Sequence, residues 1–268
     1  MLRTRLLTAA VAIPLLIWLI RWSPPAFFAG FLGVVTALGL YEYFAMALPG
    51  AALEQTAGMV WGLAVAAGVI SQRPALWGAG LGLAVVGGLI FTLLHPEALA
   101  TGVNRLGLTL LGVLYVGFFT PHVVLLRGLP DDVGWRWVFV TVASVFGSDS
   151  GGYFAGRAYG RHKLMPAVSP SKTVEGAVGA LGGAILLGSL FRLLLLRDVL
   201  GAGEAVAIAL VISVLAQFGD LCESALKRAF GAKDSGWILP GHGGILDRLD
   251  SLLFPFVFAY YYAAFPSG

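Results

Sequence analysis

Charged side chains that could hold phosphate and metal are concentrated in two stretches of the sequence, 147–175 and 220–250. Half of the 14 acids of the chain lie there: Asp149, Glu175, Asp220, Glu223, Asp234, Asp247 and Asp250. The same stretches contain many cations: Arg157, Arg161, Lys163, Lys172, Lys227, Lys233 and Arg248. Carboxylates are hard oxygen ligands suited to Mg²⁺, and Lys and Arg hold phosphate charge. The mixture predicts a site for phosphate and metal, although charge-rich loops can also simply pair their charges at a surface.

Two of these acids lie at or inside apolar segments. Asp220 follows the apolar run 205–218, and Asp149 belongs to the apolar segment 134–156. Placing an ionisable group in such a position costs free energy, so we take these two acids as candidates for a functional site. At helical spacing, one face would collect Asp220, Glu223, Ser224 and Lys227. This face can therefore present a metal ligand beside a phosphate ligand.

A glycine-rich turn over residues 240–244, with the sequence Pro-Gly-His-Gly-Gly, leads into a further predicted helix. Its glycines would let backbone N–H groups approach a phosphate closely, and free amides at a helix start attract anions. Asp247 and Asp250 are three residues apart on that helix, so they share a face and could bind metal together. His242 would orient a ligand or a phosphate.

A second phosphate-binding candidate precedes the apolar helix that begins near residue 174. It offers three hydroxyls and one ammonium group: Ser169, Ser171, Thr173 and Lys172. Hydroxyls and a lysine at a helix start can hold phosphate. Ser and Thr are also the preferred caps of any helix, so an ordinary N-cap explains this segment equally well.

The sequence does not assign a function to two other polar residues. Glu42 lies inside a predicted membrane span within Tyr41-Glu42-Tyr43, so its carboxylate should have a partner such as a tyrosine hydroxyl or an arginine. His162 is better explained as a solvated loop residue, because a single histidine is weak evidence for a metal site.

The elements that must position these residues are membrane helices. The chain has 268 residues, of which 58% are hydrophobic and 12% charged, with a mean hydropathy of +0.87. A soluble domain could not cover its core with so few polar side chains. The predicted fold is all-α and polytopic, with about nine spans near 5–21, 25–48, 56–71, 75–94, 106–126, 134–156, 174–197, 204–230 and 246–265. Cys222 is the only cysteine, which excludes an intrachain disulfide.

The placement of cations predicts the orientation. With nine spans, most of the 17 Lys and Arg residues fall on the side of the N-terminus, which the positive-inside rule places in the cytoplasm. We expect two regions. Residues 1–130 would form helices for packing, lipid access or dimer contacts, and residues 131–268 would form a catalytic region with a polar site facing the cytoplasm.

The segment from Ser224 to Asp250 resembles the signature of the phosphatidate cytidylyltransferase family. The resemblance covers Ser224, Lys227, Arg228, Lys233, Asp234, Pro240, His242, Gly243, Gly244, Asp247, Arg248 and Asp250. The upstream segments 149–157 and 169–176 are also similar. Gly152 stands where a small residue, often Ala, is expected, and Ser171 stands where a second Lys is common.

The resemblance implies a multi-helix enzyme of the inner (plasma) membrane that transfers CMP from CTP to phosphatidic acid, requires Mg²⁺ and is compatible with a homodimer. No nucleic acid is expected as a partner. Asp220 and Asp247 are the leading candidates for metal ligands, with Asp149 and Asp250 next, for one or two ions. Predicted catalytic residues besides these acids are Lys227, His242 and Arg248. Predicted substrate-binding residues are Ser169, Ser171, Lys172, Thr173, Ser224, Arg228, Lys233, Gly243 and Gly244.

Three other functions are open to a membrane protein with these polar residues. A transporter would gather its carboxylates near the bilayer midplane, often in two repeated halves, whereas here the polar motifs lie at one face in one half. A CDP-alcohol phosphotransferase should carry a D-G-x-x-A-R type motif, which this sequence lacks. A lipid kinase could use the same acids and lysines, so only the nucleotide and the product would separate it from a cytidylyltransferase.

Overall fold

A computed structural model describes residues 13–94, 99–236 and 243–265. Helices dominate these residues, as predicted. The described part of α1 spans 13–21. The following helices are α2 (Pro25–Ala47), α3 (Ala52–Ile70), α4 (Pro74–Leu93), α5 (Leu99–Gly112), α6 (His122–Arg127), α7 (Gly134–Tyr159), α8 (Val174–Leu195), α9 (Ala202–Ala229) and α10 (Leu246–Ala264).

Within the described ranges, six helical segments are long and apolar enough to cross a bilayer: α2, α3, α4, α8, α9 and the segment Leu99–Arg127. The chain is therefore an integral membrane protein. The long helices α7 and α10 fall outside this set. Polar residues lower the hydropathy of α7, and α10 carries Asp247, Arg248 and Asp250 in its first turns. The count of nine spans stays a prediction.

The segment Leu99–Arg127 is not one regular helix. After α5 the chain forms a π-helical turn, Val113–Phe118, and then breaks before α6. Pro121 lacks a backbone N–H and cannot continue the hydrogen-bond ladder. The wider turn brings Gly117 so close to the backbone of Gly62 that a Cβ at Gly117 would lie 2.6 Å from the Gly62 carbonyl oxygen. Local backbone contact between helices thus accompanies the irregular segment.

A short antiparallel hairpin joins α7 to α8, which the sequence patterns did not predict. Its strands are β1 (Lys163–Met165) and β2 (Ser169–Thr173). The Glu175 carboxylate accepts hydrogen bonds from the backbone N–H groups of Arg161 and His162, and it lies 2.6 Å from His162 Nδ1. His162 is exposed, but it helps to fix the hairpin to the start of α8.

Two buried apolar clusters hold the helices together, and each combines residues from both predicted regions. One includes Phe28 of α2 with Ile212 of α9. The other includes Leu40 of α2 with Leu246 and Leu253 of α10. Apolar contacts therefore cross the predicted division at residue 130, and that division stays a prediction.

Glycines allow α7 and α8 to pack backbone against backbone. A Cβ at Gly183 would collide with the carbonyl oxygen of Gly147, and a Cβ at Gly179 would lie 2.8 Å from that of Gly151. Small residues at a membrane helix interface permit such close approach, and dispersion forces then favour association. This contact fixes α7, which carries Asp149, against α8, which follows Lys172.

Gly183→Ala should therefore lower the thermal stability of the detergent-solubilised protein, because the new methyl group must separate α7 from α8. Gly182→Ala is the matched control, since a Cβ at the neighbouring position meets nothing within 4 Å. We expect a lower unfolding midpoint for Gly183→Ala and an unchanged midpoint for Gly182→Ala. Equal midpoints for the two variants would contradict the packing described here.

Candidate active site

The polar residues meet where several helices begin or end. The pair Lys172–Asp220 joins the segment before α8 to α9, and the pair Lys227–Asp247 joins α9 to the first turn of α10. Helix α7 packs along α8. The C-terminal half of α2 reaches the same place through Glu42. Residues separated by up to 204 positions in sequence thus contribute to one site.

A cavity of about 490 Å³ opens between α7, β2, α8 and α9. Its polar lining includes Asp149, Ser171, Lys172, Thr173 and Asp220. Lys172 Nζ lies 2.7 Å from Asp220 Oδ2, and Ser224 Oγ donates a hydrogen bond of 3.3 Å to Asp220 Oδ1. The two sequence segments predicted to act together therefore meet across this cavity.

Thr173 caps α8. Its Oγ1 accepts a hydrogen bond from the backbone N–H of Gly176 at 3.1 Å, as expected of a helix N-cap. Thr173 also lines the cavity, as do Ser171 and Lys172. Thr173 is thus an ordinary N-cap. This role is compatible with phosphate binding, because the two preceding residues, Ser171 and Lys172, lie at the cavity wall.

Lys227 links α9 to α10. Its Nζ lies 2.5 Å from Glu223 Oε2 and 2.6 Å from Asp247 Oδ1. Glu223 is only 2% exposed, and the side chains of Lys227 and Asp247 are each 13% exposed. Among the described residues, the pairing with Lys227 is the one close polar contact of the Glu223 carboxylate. One buried ammonium group thus holds two carboxylates.

The second oxygen of Asp247 is also occupied. Asp247 Oδ2 accepts hydrogen bonds from the backbone N–H of Ser235 at 3.0 Å, from Ser235 Oγ at 3.0 Å and from the backbone N–H of Gly244 at 2.8 Å. Gly243 has a φ of +80°, a backbone conformation that favours glycine. In this arrangement Asp247 fixes the turn before α10 and holds Lys227. Its assignment as a metal ligand stays a prediction.

Glu42 and Ser235 belong to the site although sequence analysis gave no role to either. The Glu42 carboxylate accepts hydrogen bonds from Ser235 Oγ at 3.2 Å and from the backbone N–H groups of Ile245 and Leu246, each at 3.0 Å. These partners differ from the tyrosine or arginine expected for a membrane carboxylate. The sequence signal for Glu42 was its position inside an apolar span, and no pattern singled out Ser235.

The remaining predicted residues lie on the same elements or in the connections that join them. Asp250 is half-buried, and its Oδ1 accepts hydrogen bonds from the backbone N–H and the hydroxyl of Ser251. Arg228, Lys233 and Arg248 are exposed near the helix ends. Ser169 lies at the start of β2. His242, predicted to be catalytic, lies outside the described residues.

The carboxylates suit Mg²⁺ by type and by number. Mg²⁺ usually binds one or two protein carboxylates and takes its other oxygen ligands from phosphate and water. Asp149 and Asp220 line one cavity and meet this requirement. Within the described parts of the chain, no three His, Cys, Asp or Glu side chains converge closely enough to form a metal cage. The donor set therefore fits a metal shared with a phosphate ligand rather than one held by protein alone.

Comparisons with known proteins identify the family of the chain. The model of the cytidylyltransferase family matches residues 3–265. A phosphatidate cytidylyltransferase of Brucella suis is 34% identical over 268 residues, covering 98% of this chain and 93% of the relative. That of Pseudomonas aeruginosa is 36% identical over 265 residues, covering 94% and 93%. That of Bacillus subtilis is 42% identical over 161 residues, covering 60% of this chain and 59% of the relative.

The match to the family model includes both halves of the chain, and so takes in the α2 residue Glu42 as well as the acids and lysines of α7 to α10. The alignments with the Brucella suis and Pseudomonas aeruginosa relatives also cover both halves of the chain. This chain belongs to the cytidylyltransferase family.

Proposed function

We propose that this protein transfers the cytidylyl group of CTP to phosphatidic acid, giving CDP-diacylglycerol and pyrophosphate. The observation that carries the proposal is the cavity at the helix ends, where Lys172 and Asp220 pair within an integral membrane protein. A lipid phosphate and a soluble nucleotide can meet there, because the acyl chains stay in hydrocarbon while both phosphate groups reach the polar helix ends. The named relatives support this substrate pair.

In the proposed reaction a phosphate oxygen of phosphatidic acid attacks the α-phosphorus of CTP. A new P–O bond forms, the bond between the α-phosphorus and the bridging oxygen breaks, and pyrophosphate leaves with that electron pair. Both substrates are polyanions, so cations must reduce their repulsion. The phosphatidate oxygen is already ionised near neutral pH, so the reaction requires neither a covalent nucleophile nor a dedicated general base.

The cations of the site would bind the phosphates. Lys172 lies in the cavity wall and is the first candidate for the triphosphate. The other candidates are Lys227, Arg228, Lys233 and Arg248, with hydroxyl or amide donors from Ser169, Ser171, Thr173, Ser224, Gly243 and Gly244. His242 would orient a phosphate.

Asp220, together with Asp149, Asp250 or Asp247, would hold one or two Mg²⁺ ions. A bound Mg²⁺ supplies positive charge that neutralises the phosphate oxygens and orients them. The ion pair between Asp220 and Lys172 supports this proposal, because it brings the candidate metal ligand next to the candidate phosphate ligand. We further propose that the site faces the cytoplasm from the inner membrane, as the distribution of Lys and Arg predicts, and that the enzyme can form a homodimer.

Two labelled forms of CTP test the reaction. The purified protein is incubated in detergent micelles with phosphatidic acid, Mg²⁺ and CTP labelled in either the α- or the γ-phosphate. We expect the α-label to appear in the lipid and the γ-label to appear in pyrophosphate. Transfer of the γ-label into lipid would instead identify a lipid kinase. If neither label enters lipid while the protein remains folded, the proposal is wrong.

A further inference from the structure

Glu42 is the most deeply buried carboxylate contributed by the N-terminal half of the described chain, at 2% exposure. It lies in α2, one of the helices apolar enough to cross the bilayer. A carboxylate in such a helix is costly unless it has strong partners. Among the described residues, its three hydrogen-bond donors lie between the end of α9 and the first residue of α10, 193 to 204 residues away.

Two of these donors are backbone N–H groups at the start of α10. The first N–H groups of a helix have no partner within the helix and are usually satisfied by a side chain next to them in sequence. Here the preceding residue is Ile245, which has no side-chain acceptor. Glu42 Oε1 accepts from Ile245 and Oε2 accepts from Leu246, so a carboxylate of another helix caps α10. Its negative charge also suits the positive end of the helix dipole.

The third donor connects Glu42 to Asp247. Ser235 Oγ lies 3.2 Å from Glu42 Oε2 and 3.0 Å from Asp247 Oδ2. A hydroxyl has one hydrogen, so Ser235 can donate to only one of these carboxylates at a time. Ser235 also donates its backbone N–H to Asp247. Glu42, Ser235 and Asp247 therefore form one chain of polar contacts that reaches Lys227.

Two glycines pack closely against the Glu42 carboxylate. A Cβ at Gly236 would lie 2.5 Å from Glu42 Oε1, and a Cβ at Gly244 would lie 2.5 Å from Glu42 Oε2. A side chain at either position would have to displace the Glu42 carboxylate, so glycines in two separate segments make room for it. This close packing agrees with the hydrogen bonds and indicates that the carboxylate is built into the turn before α10.

We propose that Glu42 is a positioning residue for cytidylyl transfer. It fixes the first turn of α10, and through Ser235 it sets the orientation of Asp247 and hence of Lys227. The N-terminal half then contributes directly to the geometry of the site. This inference rests on the proposed function, because it concerns the rate of the same reaction.

Glu42→Gln tests the inference. The amide keeps the size of the side chain but replaces one acceptor with a donor, which would face a backbone N–H or the Ser235 hydroxyl. We expect kcat per folded enzyme to fall by about 10–100-fold, a typical effect of losing a residue that orients a ligand, with KM for CTP changed far less. Glu54→Gln is the matched control, because this α3 acid makes a more exposed ion pair with Arg105. It should retain the wild-type kcat.

A double-mutant cycle separates positioning from general stabilisation. Because Glu42 and Ser235 act through one chain of contacts, the loss of kcat in Glu42→Gln/Ser235→Ala should be smaller than the product of the two single losses. Independent losses that multiply would overturn the inference. So would a wild-type kcat per folded molecule in Glu42→Gln.

If Glu42→Gln does not fold, Glu42→Asp provides the same test. It keeps the charge but is one methylene shorter, so we expect folded protein with a lowered kcat. A wild-type kcat in the folded fraction would again overturn the inference. Absence of lipid labelling in the wild-type protein would instead be a failure of the proposed function.

Discussion

Asp220→Asn is expected to reduce incorporation of α-labelled CTP into lipid by about 100-fold or more while the protein remains folded. Asp220 is the acid of the cavity that contacts both a predicted phosphate ligand, Lys172, and the hydroxyl of Ser224. Asparagine has the same shape but no negative charge, so it would bind Mg²⁺ weakly and would no longer neutralise Lys172. The rate is measured in detergent micelles, and the unfolding midpoint is measured on the same sample.

Asp198→Asn is the control for this substitution. Asp198 is an exposed acid in the connection between α8 and α9, where it pairs with Arg136 at 3.2 Å. An exposed ion pair contributes little to stability, so both the rate and the unfolding midpoint should stay close to wild type. If Asp220→Asn retained more than half of the wild-type rate, Asp220 could not be a principal metal ligand.

The helices of this protein could be predicted closely because lipid imposes simple limits. Long apolar runs are bounded by prolines at the first helical positions, as at Pro25 and Pro74, or by a capping residue such as Thr173. The predicted span 174–197 corresponds to α8 at Val174–Leu195, and 246–265 corresponds to α10 at Leu246–Ala264. An unpaired backbone N–H or C=O group in hydrocarbon is so costly that a long apolar segment of this kind must form a helix.

Two features could not be predicted from local patterns. The β1–β2 hairpin is too short to produce a recognisable alternation, and its strands contain a proline and several polar residues. The break before α6 had a visible signal in Pro121, but the π-helical turn accompanies a close backbone contact of Gly117 with Gly62 of α3. Contacts of this kind appear only when the helices are packed.

The sequence predicted many of the residues that form the site, but it did not predict which side chains contact each other. Acids at helical spacing correctly indicated a polar face on α9, and the structure brings Asp220 to Lys172 as the combined motifs suggested. The sequence could not show that Lys227 is shared by Glu223 and Asp247, or that Glu42 reaches the start of α10. Such pairs depend on which helix ends meet, and hydrophobic periodicity does not specify that.

Lys227→Met should have the largest effect on stability. Methionine keeps much of the length and apolar character of the lysine stem but leaves the carboxylates of Glu223 and Asp247 without their shared cation. Removing one partner of a buried ion pair typically costs about 3–5 kcal/mol in the free energy of unfolding. We expect a clearly lower unfolding midpoint, measured in detergent, together with loss of lipid labelling. Lys163→Met, at an exposed position in β1, should change neither.

Adding Glu223→Gln to Lys227→Met separates the loss of stability from the loss of activity. The double variant has one buried charge fewer than the single variant, so part of the lost stability should return. Activity should not return, because Asp247 still lacks its cation and the proposed phosphate ligand is still missing. If the double variant were no more stable than Lys227→Met, repulsion and desolvation at Glu223 would not explain the loss. If its activity recovered with its stability, Lys227 would serve only to neutralise Glu223, and its proposed role with phosphate would be wrong.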